Sequence, residues 1–84
     1  MLLLFDVGNT NICITTYDGN KLNKNIIRIT TLLDRSCDEY FLILKEMFDL
    51  NSVDAVIISS VVPEVTVVLK RLFKKHFNIN TIKI

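Results

Sequence analysis

Asp6 is the one carboxylate in the apolar run Leu2-Leu3-Leu4-Phe5-Asp6-Val7, and the polar tetrad Gly8-Asn9-Thr10-Asn11 follows at once. A carboxylate is costly to bury without a partner, so Asp6 belongs at the end of its segment, against water, a cation or backbone donors. Glycine lets a backbone approach a ligand closely and tolerates positive φ. Successive N–H groups in such a turn can form a concave anion site, to which the Asn9 amide and Thr10 hydroxyl add donors. A carboxylate beside an anion cradle makes sense if a divalent cation bridges them. Mg²⁺ takes one or two carboxylates together with substrate phosphates and several waters. No Gly-Lys-Ser/Thr follows, so this is not the lysine-based phosphate loop. The same residues also fit a plain Asx-type hairpin turn, with Asp6 satisfied by local amides. From these residues alone, both readings stand.

The elements that must hold this turn can be read from period and punctuation. Leu2 to Val7 is a short, nearly continuous apolar run, which predicts a strand buried on both faces. Ile12 to Tyr17 is rich in β-branched residues and predicts a second strand. Asp18-Gly19 is a two-residue hairpin signal, and a third strand is expected from about Leu22 to Thr30. Ser36-Cys37-Asp38-Glu39 then reads as a capping box. Tyr40, Phe41, Leu44, Met47 and Phe48 recur at helical spacing, so a helix should run to about Leu50. Val53 to Ser59 predicts another buried strand. Pro63 and Glu64 suit a helix start, and Val65, Val68, Leu69, Leu72, Phe73 and His76 share one face of that helix. Asn78 should end it, and Thr81 to Ile84 should begin one more strand. The order β-β-β-α-β-α-β predicts an α/β fold, a mixed sheet with helices packed on it.

Composition narrows the function classes. Half of the 84 residues are apolar and the mean hydropathy is positive, which is high for so small a core. The excess, with an apolar last strand that nothing follows, is expected to meet more protein, either further chain or a partner subunit. A membrane span is not expected, because no stretch approaches the roughly 20 apolar residues a bilayer helix needs. Met1 to Phe5 lacks the basic lead of a signal peptide, so the cytoplasm is the expected compartment. Cys13 and Cys37 have no metal-ligand spacing, and reduced core thiols rather than a zinc site are expected of them. Net charge is +1, too small to imply a polyanion partner.

Other features have a structural explanation beside any functional one. Ser59-Ser60 could touch a ligand at a strand end or simply precede the helix at Pro63. Tyr40 fits the core, and His76 fits a favourable helix C-terminus. Lys70, Arg71, Lys74 and Lys75 could bind nucleic acid or form a solvated face. A two-metal nuclease would need a second carboxylate where Ser59-Ser60 ends its strand.

Asp6-Val7-Gly8-Asn9-Thr10-Asn11, Tyr17-Asp18-Gly19, Asp38-Glu39-Tyr40 and Ile58-Ser59-Ser60-Val61-Val62-Pro63 together resemble the N-terminal part of a type III pantothenate kinase. The resemblance spans essentially the whole chain. It implies a ribonuclease-H-like lobe of the actin-like ATPase type, with residues 1–84 forming the N-terminal part of a single lobe. It also implies a cytoplasmic homodimer that phosphorylates pantothenate with ATP in coenzyme A biosynthesis. Mg²⁺ and a monovalent cation, K⁺ or NH₄⁺, are the implied cofactors. The family's first phosphate motif maps onto Asp6, Val7, Gly8, Asn9, Thr10, Asn11, Ile12 and Cys13, with Asp6 towards the metal. Departures are mild: Ser36-Cys37 stands where many members have Thr-Ala, and a second proline often follows Pro63. A family member is about three times as long, and its catalytic Asp, Gly-x-Asp-Arg pantothenate motif and monovalent-cation site lie in that remainder. No catalytic residue is therefore expected in this chain. No nucleic-acid or membrane partner is expected either. The alternatives are a non-catalytic accessory regulator of the same family, or a nucleic-acid-binding fragment using the basic helix Lys70 to Lys75.

Overall fold

The computed structural model describes residues 1–22 and 26–84. Its elements are β1 (Leu2–Val7), β2 (Asn11–Tyr17), β3 (Ile27–Thr30), α1 (Cys37–Met47), a 3₁₀ turn (Leu50–Ser52), β4 (Ala55–Ser60), α2 (Pro63–Phe77) and β5 (Ile82–Lys83). They form one five-stranded sheet in the order β3-β2-β1-β4-β5. The first three strands are an antiparallel meander. β4 and β5 then join parallel to β1, as helix-connected strands must. The expected mixed α/β sheet is the observed one.

Strand alternation decides which side of this sheet is buried. Leu3, Phe5 and Val7 of β1, Ile12 and Ile14 of β2, and Val56 and Ile58 of β4 all enter one core with Tyr40 and Leu44 of α1 and Leu69, Leu72 and Phe73 of α2. The Phe5 and Phe73 rings meet edge to face, 5.8 Å between centroids. Both helices thus lie on the same side. The opposite side carries Leu4, Asp6, Cys13, Thr15, Ile57 and Ser59, and no helix covers it among the described residues. β1 is therefore buried on one face, not on both. Its apolar sequence, broken only by Asp6, reflects a second face that is greasy but open.

Local chemistry explains most of the boundaries. At α1, the Ser36 hydroxyl accepts from the Glu39 N–H and the Glu39 carboxylate accepts from the Ser36 N–H, so the expected capping box is present. The helix stops at Met47 rather than near Leu50. The chain instead makes a 3₁₀ turn, fastened by the Ser52 hydroxyl donating to Asp49 at 2.7 Å, which lets Leu50 and Val53 enter the core. Met47 is left exposed. α2 ends as expected on Asn78, which adopts the left-handed conformation at φ 54°, a role that Asn tolerates. The first hairpin has a four-residue loop rather than a two-residue one. Tyr17 bridges Leu22, Gly19 sits at φ 102°, and Asp18 accepts from the N–H groups of Asn20 and Lys21. Among the described residues, Leu22 makes only that single bridge. Regular pairing of β3 begins at Ile27, and residues 23–25 of the expected strand lie outside the described residues. At the far edge only Ile82 and Lys83 are strand, while the Ile84 N–H still donates to the Ile58 carbonyl at 3.0 Å.

Candidate functional site

Pairing of β1 with its two neighbours fixes where Asp6 stands. It lies opposite Cys13 of β2 and Ser59 of β4, on the open side of the sheet. Its side chain is exposed, and no group among the described residues holds its carboxylate. The local amides that an Asx-type turn would have turned on Asp6 are not there. The open side forms a cavity of about 330 Å³, lined by Asp6, Cys13, Ser59 and the apolar Leu4, Ile57 and Ile84 among others.

The turn itself is closed by backbone. The Gly8 N–H donates to the Asn11 carbonyl at 2.9 Å, and a Cβ on Gly8 would come within 3.3 Å of that same oxygen. Gly8 does not have positive φ. Its glycine is required by close backbone approach within the turn. Val7 and Ile12, on either side, are 1% and 0% exposed, so only their backbone could meet a ligand. Asn9, Thr10 and Asn11 are exposed. The N–H groups of Asn9 and Thr10 have no partner among the described residues. The end of β1 and the turn after it thus carry, in consecutive residues, an exposed carboxylate, two amide donors without a partner among the described residues, and the Thr10 hydroxyl. Such a set can take an anion and a cation side by side.

Two supports were not visible in sequence. The Thr31 hydroxyl donates to the Gly8 carbonyl at 2.8 Å and its N–H to the Thr10 carbonyl at 2.9 Å. The link after β3 thus clamps the turn from outside. The Val61 N–H donates to the Val7 carbonyl at 3.1 Å, which ties the end of β4 to the same spot. No spacing rule finds Thr31, because the contact depends on β3 returning alongside β2. Ser60 accepts from the Val62 N–H at 3.0 Å and donates back to its carbonyl, so it shapes the entry to α2. Ser59 faces the open side beside Asp6.

The other candidates take structural places. Tyr40 is 1% exposed in the core, with the Arg35 guanidinium 5.3 Å from its ring centre. Burial pushes its hydroxyl above the usual tyrosine range, and the Arg35 charge opposes this. His76 is exposed and stacks on Phe41. Both cysteines are free and half-buried rather than fully in the core. Lys75 pairs with Asp38 at 3.9 Å, and Lys70, Arg71 and Lys74 line a shallow groove with Asn80.

Sheet order, helix placement and the strand-turn-strand at Asp6 fit the fold of the actin-like ATPase class. The sequence model of the type III pantothenate kinase family matches residues 2–84, and the chain belongs to that family. A type III pantothenate kinase of Geobacter sulfurreducens is 46% identical over 82 residues, covering 92% of this chain and 32% of that protein. One from an Exiguobacterium species is 40% identical over 87 residues, covering 98% of this chain and 34% of that protein. One from Acholeplasma laidlawii is 40% identical over 84 residues, covering 100% and 34%. The chain spans about a third of the length of these curated relatives. Among the described residues, no helix is long and apolar enough to cross a membrane.

Proposed function

We propose that residues 1–84 are the ATP-phosphate-binding, N-terminal part of a lobe belonging to a kinase that phosphorylates pantothenate with ATP. The observation that carries this reading is the free Asp6 carboxylate beside the free N–H groups of Asn9 and Thr10. In this reading the two N–H groups and the Thr10 hydroxyl donate to phosphate oxygens. Val7 and Ile12 anchor the turn in the core, and Thr31 keeps it from opening. Gly8, Asn11 and Cys13 complete the segment that tracks the phosphates. Asp6 would hold Mg²⁺, which when bound supplies positive charge to the phosphate oxygens. Phosphoryl transfer depends mainly on positioning and charge stabilisation, and a preorganised turn contributes to both. The catalytic Asp, the pantothenate contacts and the K⁺ or NH₄⁺ site belong, by family resemblance, to chain beyond these residues. Cytoplasmic location and a homodimer are part of the same reading.

The test is a coupled assay on the chain completed to family length, with Mg²⁺, K⁺ and ATP. The expected outcome is ATP consumption that depends on pantothenate. ATP consumption that ignores pantothenate would overturn the substrate assignment, and none at all from a folded protein would favour a non-catalytic regulator instead.

A further inference from the structure

We propose a second metal site, for a transition dication of the Zn²⁺ or Co²⁺ class, where the start of α1 meets the end of α2. Cys37 Sγ, an Asp38 carboxylate oxygen and a His76 ring nitrogen all lie within 4.8 Å of one another. Among the described residues this is the one group of three such ligands. Thiolate with imidazole selects borderline or soft metals, not the Mg²⁺ expected at the all-oxygen Asp6 turn. The two sites are therefore chemically distinct.

Local structure preorganises the ligands. Cys37 and Asp38 are the first two residues of α1, held in place by the Ser36–Glu39 capping box. The His76 ring is stacked on Phe41, with centroids 4.2 Å apart and planes 9° from parallel. With metal bonds of about 2.0–2.3 Å, tetrahedral ligand atoms sit roughly 3.3–3.8 Å apart. A closure of at most about 1.5 Å is needed from separations within 4.8 Å, and small rotations of the Cys37, Asp38 and His76 side chains can supply it. Lys75 must give up its 3.9 Å contact with Asp38, an exposed pair of little worth. The thiol releases its proton to solvent on binding. Three protein ligands leave the fourth position to water, and the ion staples α1 to α2.

Sequence reading expects no zinc site because neither cysteine has a ligand at metal-binding spacing. The fold supplies one from another helix.

Co²⁺ is the probe, titrated into the reduced 84-residue chain and then displaced by Zn²⁺. The expected result is one Co²⁺ per chain at every protein concentration, with a thiolate-to-cobalt charge-transfer band and tetrahedral d–d bands. Cys37→Ser should abolish the charge-transfer band. Cys37→Ser and His76→Ala should each weaken Zn²⁺ binding at least 100-fold, beyond the roughly 10–100-fold that outer-shell changes cost. Circular dichroism confirms that each variant is folded, and millimolar Mg²⁺ should leave Co²⁺ bound. A charge-transfer band that is absent in the wild type or persists in Cys37→Ser overturns the proposal. Unchanged affinity in His76→Ala, or one metal bridging two chains, does so equally.

Discussion

Val7 and Ile12 are locked into the core, so the four residues between them are held up to solvent like a fingertip on a rigid hand. Thr10 is the exposed member with a hydroxyl, which makes it the cleanest test of a ligand role. Thr10→Val keeps the volume and removes the donor. A lost hydrogen bond to a charged group costs about 1.5–3 kcal/mol, so ATP use should fall about 10–150-fold in the completed protein. Its melting temperature should barely move, since no partner among the described residues holds the side chain. A large drop in melting temperature with unchanged kinetics would mean the turn is only structural. The turn that carries Asp6 and Gly8 was legible in sequence because its signals are local: one acid in an apolar strand, one glycine in a polar tetrad. Gly8 was legible for a partly different reason than expected, since the nearby Asn11 carbonyl constrains it and positive φ does not. Thr31 and His76 were not legible, because what they touch is set by strand and helix packing between distant segments.

Among the elements, α1 depends most visibly on side chains that sequence alone identifies. Ser36→Ala should destabilise the fold by about 1 kcal/mol, a fall of about 4–8 °C in melting temperature for a domain this size. Glu39 adds a pH signature. The Ser36 N–H, and then the Ser36 hydroxyl, hold its carboxyl below the ordinary value of 4.5. A carboxyl lowered in the folded state contributes stability that is present above its unfolded value and lost as pH falls through the lowered one. Stability against chemical denaturant should therefore decline below about pH 4.5, and Glu39→Gln should flatten part of that decline. Asp18, lowered by the amides of Asn20 and then Lys21, accounts for another part. An unchanged acid limb in Glu39→Gln would mean the box is not formed in solution. The order of the strands and the two α-helices was legible, since helical and strand periods switch near Ser36, Val53 and Pro63. The 3₁₀ turn at Leu50–Ser52 was not, and the fourth strand begins at Ala55 rather than Val53. Ends were legible only where a residue signals them, as Ser36 and Asn78 do. The stop at Met47 follows instead from Leu50 and Val53 needing the core, a demand that appears only once the sheet exists.

For the whole molecule, the decisive fact is a sheet with both helices on one side. Leu4 and Ile57 are half-buried on the other side, and Ile26 and Ile84 are 57% and 82% exposed there. Apolar surface of that kind drives association. The 84-residue chain made alone should therefore self-associate, as read by sizing chromatography with light scattering, and should not phosphorylate pantothenate. A monodisperse monomer that turns over pantothenate would overturn both the open-face argument and the assignment of catalytic groups to chain beyond these residues. Sequence could tell that apolar residues outnumbered what so small a core can hide, but not that the surplus would gather on one face beside Asp6. That follows from the register, which sets Leu4, Asp6, Ile57 and Ser59 on the same side.

In the proposed function, Asp6 couples a divalent cation to phosphate binding at its turn. The most direct test is ATP affinity by calorimetry, with and without Mg²⁺, for the completed wild-type and Asp6→Asn proteins. The wild type should bind ATP more tightly with Mg²⁺. Asp6→Asn should lose that dependence, melt as the wild type does, and turn over about 10²–10³-fold more slowly. Full Mg²⁺ coupling and wild-type turnover in Asp6→Asn would show that Asp6 holds no metal there.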